Sequence, residues 1–202
     1  IQADLPPMVE FKAKADAIIK ERWGFEVEHI RASYCRGSAN PTFEKIFYQT
    51  RKSGKYTSSL VGFPMSLAHW CQDLKNNAVK EANAVKGIRY IGIATDEPNR
   101  FHNISERQIS PLVEIGWTEA DCRKWCEDND LLSPIYTSSA RGGCWFCPVQ
   151  PLEQLRILRK SYPDLWALLM KWDKDSPLPF HADGHTVHDF DRRFQLEDDG
   201  LI

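Results

Sequence analysis

No stretch of this chain approaches the ~20 consecutive apolar residues that a membrane-crossing helix needs. The first residues carry Asp4, Pro6 and Pro7 where a secretory leader would place a basic segment and then an apolar one. These absences predict no membrane partner and a cytoplasmic location. Charge of one sign is also lacking: 26 Lys and Arg stand against 28 Asp and Glu, a net charge of −2 that excludes a uniformly basic nucleic-acid surface. A local basic crowd (Arg31, Arg36, Arg51, Lys52, Lys55) remains, and it reads first as a solvated face. The phosphate-binding signatures are missing too. There is no G-x-G-x-x-G, and Gly54-Lys55 lacks the upstream glycine and the following Ser or Thr of a Walker loop, since Tyr56 comes next. No serine sits in a nucleophile elbow.

What is present is an ordinary globular balance, 42% apolar and 27% charged over 202 residues, enough for one sizeable domain or a domain with an appendage. Six cysteines without a leader point to reduced thiols rather than a disulfide framework. The most informative segment is Arg141-Gly142-Gly143-Cys144-Trp145-Phe146-Cys147-Pro148. Two residues between cysteines let both sulfurs serve one metal ion, one cluster or one redox bond, and spacing alone leaves zinc, iron–sulfur and dithiol chemistry open. Glycines just before, Gly142 and Gly143, remove the Cβ that would keep a ligand phosphate from the backbone. A metal wants about four ligands. Cys71, expected near a helix start, is the third candidate, and Cys35, in an Arg-flanked loop, is the fourth. Cys122 and Cys126 are four apart on an expected helix and read first as core cysteines. His181, His185 and His188 read as part of a solvated polar tail rather than a zinc set.

Periodicity predicts a helix over Pro6 to Trp23 stopped by Gly24, a strand over Phe25 to Ile30, and a short helix over Thr42 to Arg51. It further predicts a helix opened by Ser66, a buried strand over Arg89 to Ala94, and a helix from a Thr118 cap to about Asn129. Leu152 to Trp172 reads as helical, and Pro177 to Ile202 as polar with weak periodicity. The expected fold class is α/β: a mostly parallel sheet flanked by helices, with a domain over 1–148 and a small helical C-terminal appendage over 149–202. In such a fold ligands bind beyond the carboxyl ends of the strands. The loop after the buried strand carries Asp96 and Glu97, suited to a metal–phosphate or to ribose hydroxyls, and Arg100, suited to a phosphate; an ordinary local Asp–Arg contact is the alternative.

Several ordered pieces resemble the phosphoadenosine-phosphosulfate reductase-like branch of the N-type ATP pyrophosphatases, the adenine nucleotide α-hydrolase group. They are Asp4 to Phe11, Thr42-Phe43-Glu44, Gly62-Phe63-Pro64 through Trp70-Cys71 and Leu74-Lys75, and Tyr90 to Arg100, with Ala94 where many relatives carry Arg. Pro111-Leu112, Trp117 to Asp121, Pro134-Ile135-Tyr136 and Gly143 to Pro148 complete the set, so the resemblance spans roughly Asp4 to Pro148. Two departures matter. The family's Ser-Gly-Gly-x-Asp-Ser pyrophosphate loop is absent and is expected upstream of Ile1. No cysteine follows Cys147, whereas sulfonucleotide reductases carry a Cys-bearing tail.

The resemblance therefore implies the sulfur-transfer side of the family, closest to the ATP pyrophosphatases of DNA phosphorothioation. It implies an enzyme that uses ATP and Mg²⁺ to adenylylate an acceptor such as DNA or tRNA. It also implies an iron–sulfur cluster (or Zn²⁺) on Cys71, Cys144, Cys147 and Cys35, and a cysteine desulfurase as partner. Sulfonucleotide reduction and a non-catalytic, metal-stapled binding subunit are the alternatives.

Overall fold

The computed structural model describes residues 4–29, 43–52, 55, 57–64, 70–82, 87–138 and 143–202. Among these the chain forms ten helices and two short strands, and no helix is long and apolar enough to cross a membrane. Two compact units emerge. The first joins Ile1–Leu5, Ile30–Glu81 and Gly143–Ile202, and the second joins Pro6–His29 and Ala82–Gly142. The boundary expected at 148 does not separate them, because residues on both sides of it share the core of the first unit.

The first unit is built on aromatics. Helix α2 (Phe43–Phe47) and helix α3 (Trp70–Ala82) precede three C-terminal helices, α8 (Leu152–Ser161), α9 (Pro163–Asp175) and α10 (Val187–Asp198). The stretch expected to be helical over Leu152 to Trp172 forms two helices. Proline at 163 has no amide hydrogen to continue the first helix and a φ suited to starting the second. The tail expected to be polar and weakly periodic instead folds as α10. Thr186 and Asp189 close a capping box at its start, and Val187, Phe190 and Phe194 bury one face. The C-terminal segment is thus part of the core rather than an appendage.

Charged pairs join α8 to α10. Arg156 donates to both carboxylate oxygens of Glu197 at 2.7 Å, and Arg193 donates to the same carboxylate at 2.9 Å. Arg159 reaches Asp191 at 2.9 Å and Asp198 at 2.6 Å, and the Trp166 indole N–H also donates to Asp191. The two guanidinium groups hold Glu197 down from its ordinary 4.5 to about 2. A depressed carboxyl stabilises the fold above its unfolded value and loses that contribution as pH falls through the folded one. The α8–α10 contact is therefore expected to loosen between pH 4.5 and about 2. A carbon-13 titration of the Glu197 carboxyl checks this, and a midpoint at the ordinary value would refute the clamp.

Gly62 sits at φ +66°, and a Cβ there would lie 2.6 Å from the Ser176 hydroxyl and 2.8 Å from the Pro177 ring. The Ser176 hydroxyl is already committed, accepting from the Phe63 amide and donating to the Leu178 carbonyl. Gly62→Ala is expected to cost ~1–3 kcal/mol through left-handed strain and collision, read as a lowered urea midpoint with the slope unchanged.

The second unit contains helix α1 (Pro6–Trp23), ended by Gly24 at φ +72°. Trp23 stacks on Trp125 at 6.0 Å, and Arg22 donates to the Asn129 carbonyl, tying α1 to the end of α6 (Glu119–Asp128). Strands β1 (Arg89–Tyr90) and β2 (Gln108–Ile109) pair in parallel, with Arg89 opposite Gln108 and Tyr90 opposite Ile109. Between them lies the one-turn helix α4 (Pro98–Phe101); Pro111–Glu114 forms α5, and Ile135–Ser138 forms α7. The mostly parallel sheet expected from the sequence is thus corrected to a two-stranded parallel sheet in a helix-rich chain. The strand expected over Phe25 to Ile30 is not one over described residues 25–29. Its apolar/polar alternation is present, but among the described residues no ladder partner engages it and Phe25 stays 69% exposed.

Candidate functional site

In the second unit a cavity of about 500 Å³ opens beyond the carboxyl end of β1. Glu97 and Arg100, two of the residues expected around a nucleotide, line it together with Glu119, Cys122, Arg123, Cys126 and Tyr136. The loop that carries them is pinned from below. The buried Ser110 hydroxyl donates to the Ile93 carbonyl at 2.6 Å, and the Thr95 amide and hydroxyl both donate to the Trp117 carbonyl at 2.8 Å. Glu97 accepts from the Ala94 amide at 3.2 Å and from the Arg100 guanidinium. The Arg100 hydrogen bond, then the Ala94 amide, hold its carboxyl below the ordinary range. Arg100 is 61% exposed at the side chain while Glu97 is 18% exposed. The carboxylate thus aims a cation outward, an arrangement suited to pairing with an anionic ligand.

Asp96 does something else. Its two oxygens accept from the Glu119 amide at 3.0 and 3.3 Å, at the start of α6, and it does not line the cavity. A carboxylate there satisfies an orphan donor and complements the helix dipole. Thr118 and Asp121 complete the cap as a reciprocal box. Gly142 lies outside the described residues. Gly143 belongs to the first unit, and a Cβ on it would meet nothing within 4 Å, so no close approach among the described residues requires glycine there. Of the five residues expected around a nucleotide, two line the cavity.

The expected metal ligands lie in the first unit. Trp145 and Phe146, the residues between Cys144 and Cys147, are both buried in the aromatic core. The turn is closed by the Cys147 amide donating to the Cys144 carbonyl at 3.1 Å, and Gln150 donates to the carbonyls of Cys144 and Trp145 at 2.8 and 2.7 Å. Cys71, at the start of α3, joins them: burial pushes its thiol up, and the neighbouring sulfurs of Cys147 and Cys144 add to the rise while Lys75 opposes it. Burial also raises Cys144, against the charge and hydrogen bond of Lys75. The three sulfurs singled out in the sequence therefore feel one another. Cys35, the fourth, lies outside the described residues. The donor chemistry suits a soft or borderline metal. Even so, no group of three or more His, Cys, Asp or Glu among the described residues is disposed as a ligand sphere, and Lys75 occupies one sulfur.

Three signals were underread in the sequence. Cys122 and Cys126, which read as core cysteines, are part-exposed on the cavity wall, and their i, i+4 spacing was the available clue. The histidine tail is ordered: His181 and His185 flank Asp183 and line a second cavity of about 760 Å³ with Asp189 and Arg193. His188 turns instead to Asp173, so the three imidazoles do not form one set. Gln150 carried no motif, and Lys75 stood in the Leu74-Lys75 motif without a role assigned to it. No family model, curated protein or solved structure matches this chain.

Proposed function

We propose that the second unit binds an adenine nucleotide and that the protein is an ATP pyrophosphatase-type enzyme activating an acceptor for sulfur transfer in the cytoplasm. One observation carries the reading: a cavity beyond the carboxyl end of a parallel strand, with Arg100 presented into it by Glu97. That is where an open parallel α/β arrangement takes its ligands, and it coincides with the segment whose motif resembles this enzyme family. Arg123 lines the same cavity and adds a second guanidinium for phosphate oxygens.

In this reading ATP is split between its α and β phosphates with Mg²⁺ neutralising charge, and an oxygen of DNA or tRNA receives the adenylyl group. Sulfur supplied through a cysteine desulfurase then displaces AMP. The free thiols at Cys71, Cys122, Cys126, Cys144 and Cys147 agree with a reducing compartment. An iron–sulfur cluster or zinc on Cys71, Cys144, Cys147 and Cys35 belongs to the same proposal. As disposed, the described sulfurs do not form its ligand sphere, so no step is routed through it; anaerobic purification with iron and zinc analysis tests that part separately.

The decisive measurement is pyrophosphate release from ATP by the full-length protein, with and without DNA or tRNA. Release stimulated by one of these acceptors is the expected result. Nucleotide binding without release would leave a binding subunit, and neither binding nor release would end the proposal.

A further inference from the structure

We infer that Cys122 and Cys126 form a binding site for a single cuprous ion on the cavity wall of the second unit. The inference stands on the cavity wall and is independent of the nucleotide reading. Four residues apart on one helix places the two Cβ atoms about 5–6 Å from each other on the same face. Both residues line the cavity and both are part-exposed, so an ion entering from solvent reaches both sulfurs. They also sense each other, since the Cys126 sulfur contributes to the shift at Cys122.

The number of donors selects the metal. Zinc in a structural site asks for four ligands, and among the described residues no third His, Cys, Asp or Glu joins this pair as a ligand sphere. A soft ion satisfied by two thiolates is cuprous copper. Binding is an exchange without electron transfer: Cu⁺ replaces two thiol protons, giving a bis-thiolate complex of charge −1 and two free protons. The guanidinium groups of Arg100 and Arg123 line the cavity and offset that charge, whereas Glu97 and Glu119 on the same walls oppose it. Asp96 and Asp121 add to the opposition at Cys122. Because the exchange releases two thiol protons, the apparent affinity should rise ~100-fold per pH unit below the thiol range, a factor of ten for each proton released.

The test supplies Cu⁺ buffered by bathocuproine disulfonate to the reduced full chain under anaerobic conditions, with alkylation of each cysteine followed by mass spectrometry. Site-resolved alkylation distinguishes this pair from Cys71, Cys144 and Cys147, which can bind copper on their own account. The expected result is joint protection of Cys122 and Cys126, a two-proton pH slope, and loss of protection at the remaining thiol in C122S and C126S. The variants' folding is confirmed by circular dichroism, and the wild-type protection pattern decides the matter even if one variant does not fold. Unchanged alkylation of either thiol in the presence of Cu⁺ overturns the inference. So does a one-proton slope, or equal protection by Zn²⁺.

Discussion

Replacing Trp172 by alanine is expected to cost the first unit about 3–5 kcal/mol, the range for removing a large aromatic from a close-packed interior. The indole is fully buried. It stacks on Trp145 at 5.5 Å with planes 17° apart, and meets Phe43 at 5.1 Å, Phe146 at 5.6 Å and Phe47 at 5.8 Å. One side chain thus bridges α2, the cysteine turn and α9, three segments far apart in sequence. Its removal leaves a void those rigid rings cannot fill by rotating. Offset aromatic pairs add ~0.5–1.5 kcal/mol each beyond buried area, which places this site at the upper end of the range. A control sharpens the argument. Among the described residues the Trp172 indole N–H has no hydrogen-bond partner, and an unsatisfied buried donor costs ~1–3 kcal/mol. Trp172→Phe removes that donor along with some volume, so it should destabilise far less than alanine. Urea unfolding followed by near-ultraviolet circular dichroism reads both, and equal losses for the two variants would show that ring packing is not what holds this unit.

The sequence made local structure legible wherever local chemistry decides it. Thr118 with Asp121, and Gly24 after Trp23, mark real helix ends, because caps and left-handed glycines act within a few residues of themselves. Arg89 to Ala94, expected as a buried strand, is realised only as the two-residue β1, where Tyr90 is 73% exposed; the buried residues Ile93 and Ala94 follow the strand rather than form it. Phe25 to His29 shows the limit. Alternation specifies which side chains share a face, but a strand exists only when a partner supplies its hydrogen bonds, and that partner is a non-local fact. The C-terminal helix was missed for a different reason. Three buried residues, Val187, Phe190 and Phe194, are diluted by eight charged or polar neighbours, although the Thr186–Asp189 box was in plain view.

The site was legible in chemistry more than in assignment. Glu97 and Arg100 stand where a ligand loop should put them, but Asp96, one residue earlier, serves α6. Adjacent residues on a turn leave in different directions, so a run of three polar residues cannot all face one ligand. The cysteines show the same effect. Spacing identified Cys144 and Cys147, yet Cys122 and Cys126 reach the cavity because a helix whose first turn is fixed by Thr118 carries its i and i+4 positions onto one wall.

If the second unit takes ATP, Arg100→Gln should lower kcat/KM for pyrophosphate release roughly 10- to 150-fold, the loss of a charge-assisted contact of ~1.5–3 kcal/mol. The reasoning turns on what Glu97 does for Arg100. Without that carboxylate an exposed arginine would spread over many rotamers and pay for ordering on binding; with it the guanidinium is already placed at the cavity. Glu97→Gln keeps the shape but weakens the hold, so its defect should fall mainly on KM and be smaller than that of Arg100→Gln. Asp96→Asn separates ligand binding from helix capping. Losing a carboxylate at the start of α6 should lower stability by ~0.3–1 kcal/mol, a change visible in thermal unfolding with ATP absent. The ranking Arg100, then Glu97, with Asp96 acting through stability, is what the geometry requires. Should Asp96→Asn abolish pyrophosphate release in a protein that melts normally, the carboxylate would belong to the reaction and the cap would be incidental. An Arg100→Gln enzyme with wild-type kcat/KM would remove the cavity from the mechanism altogether.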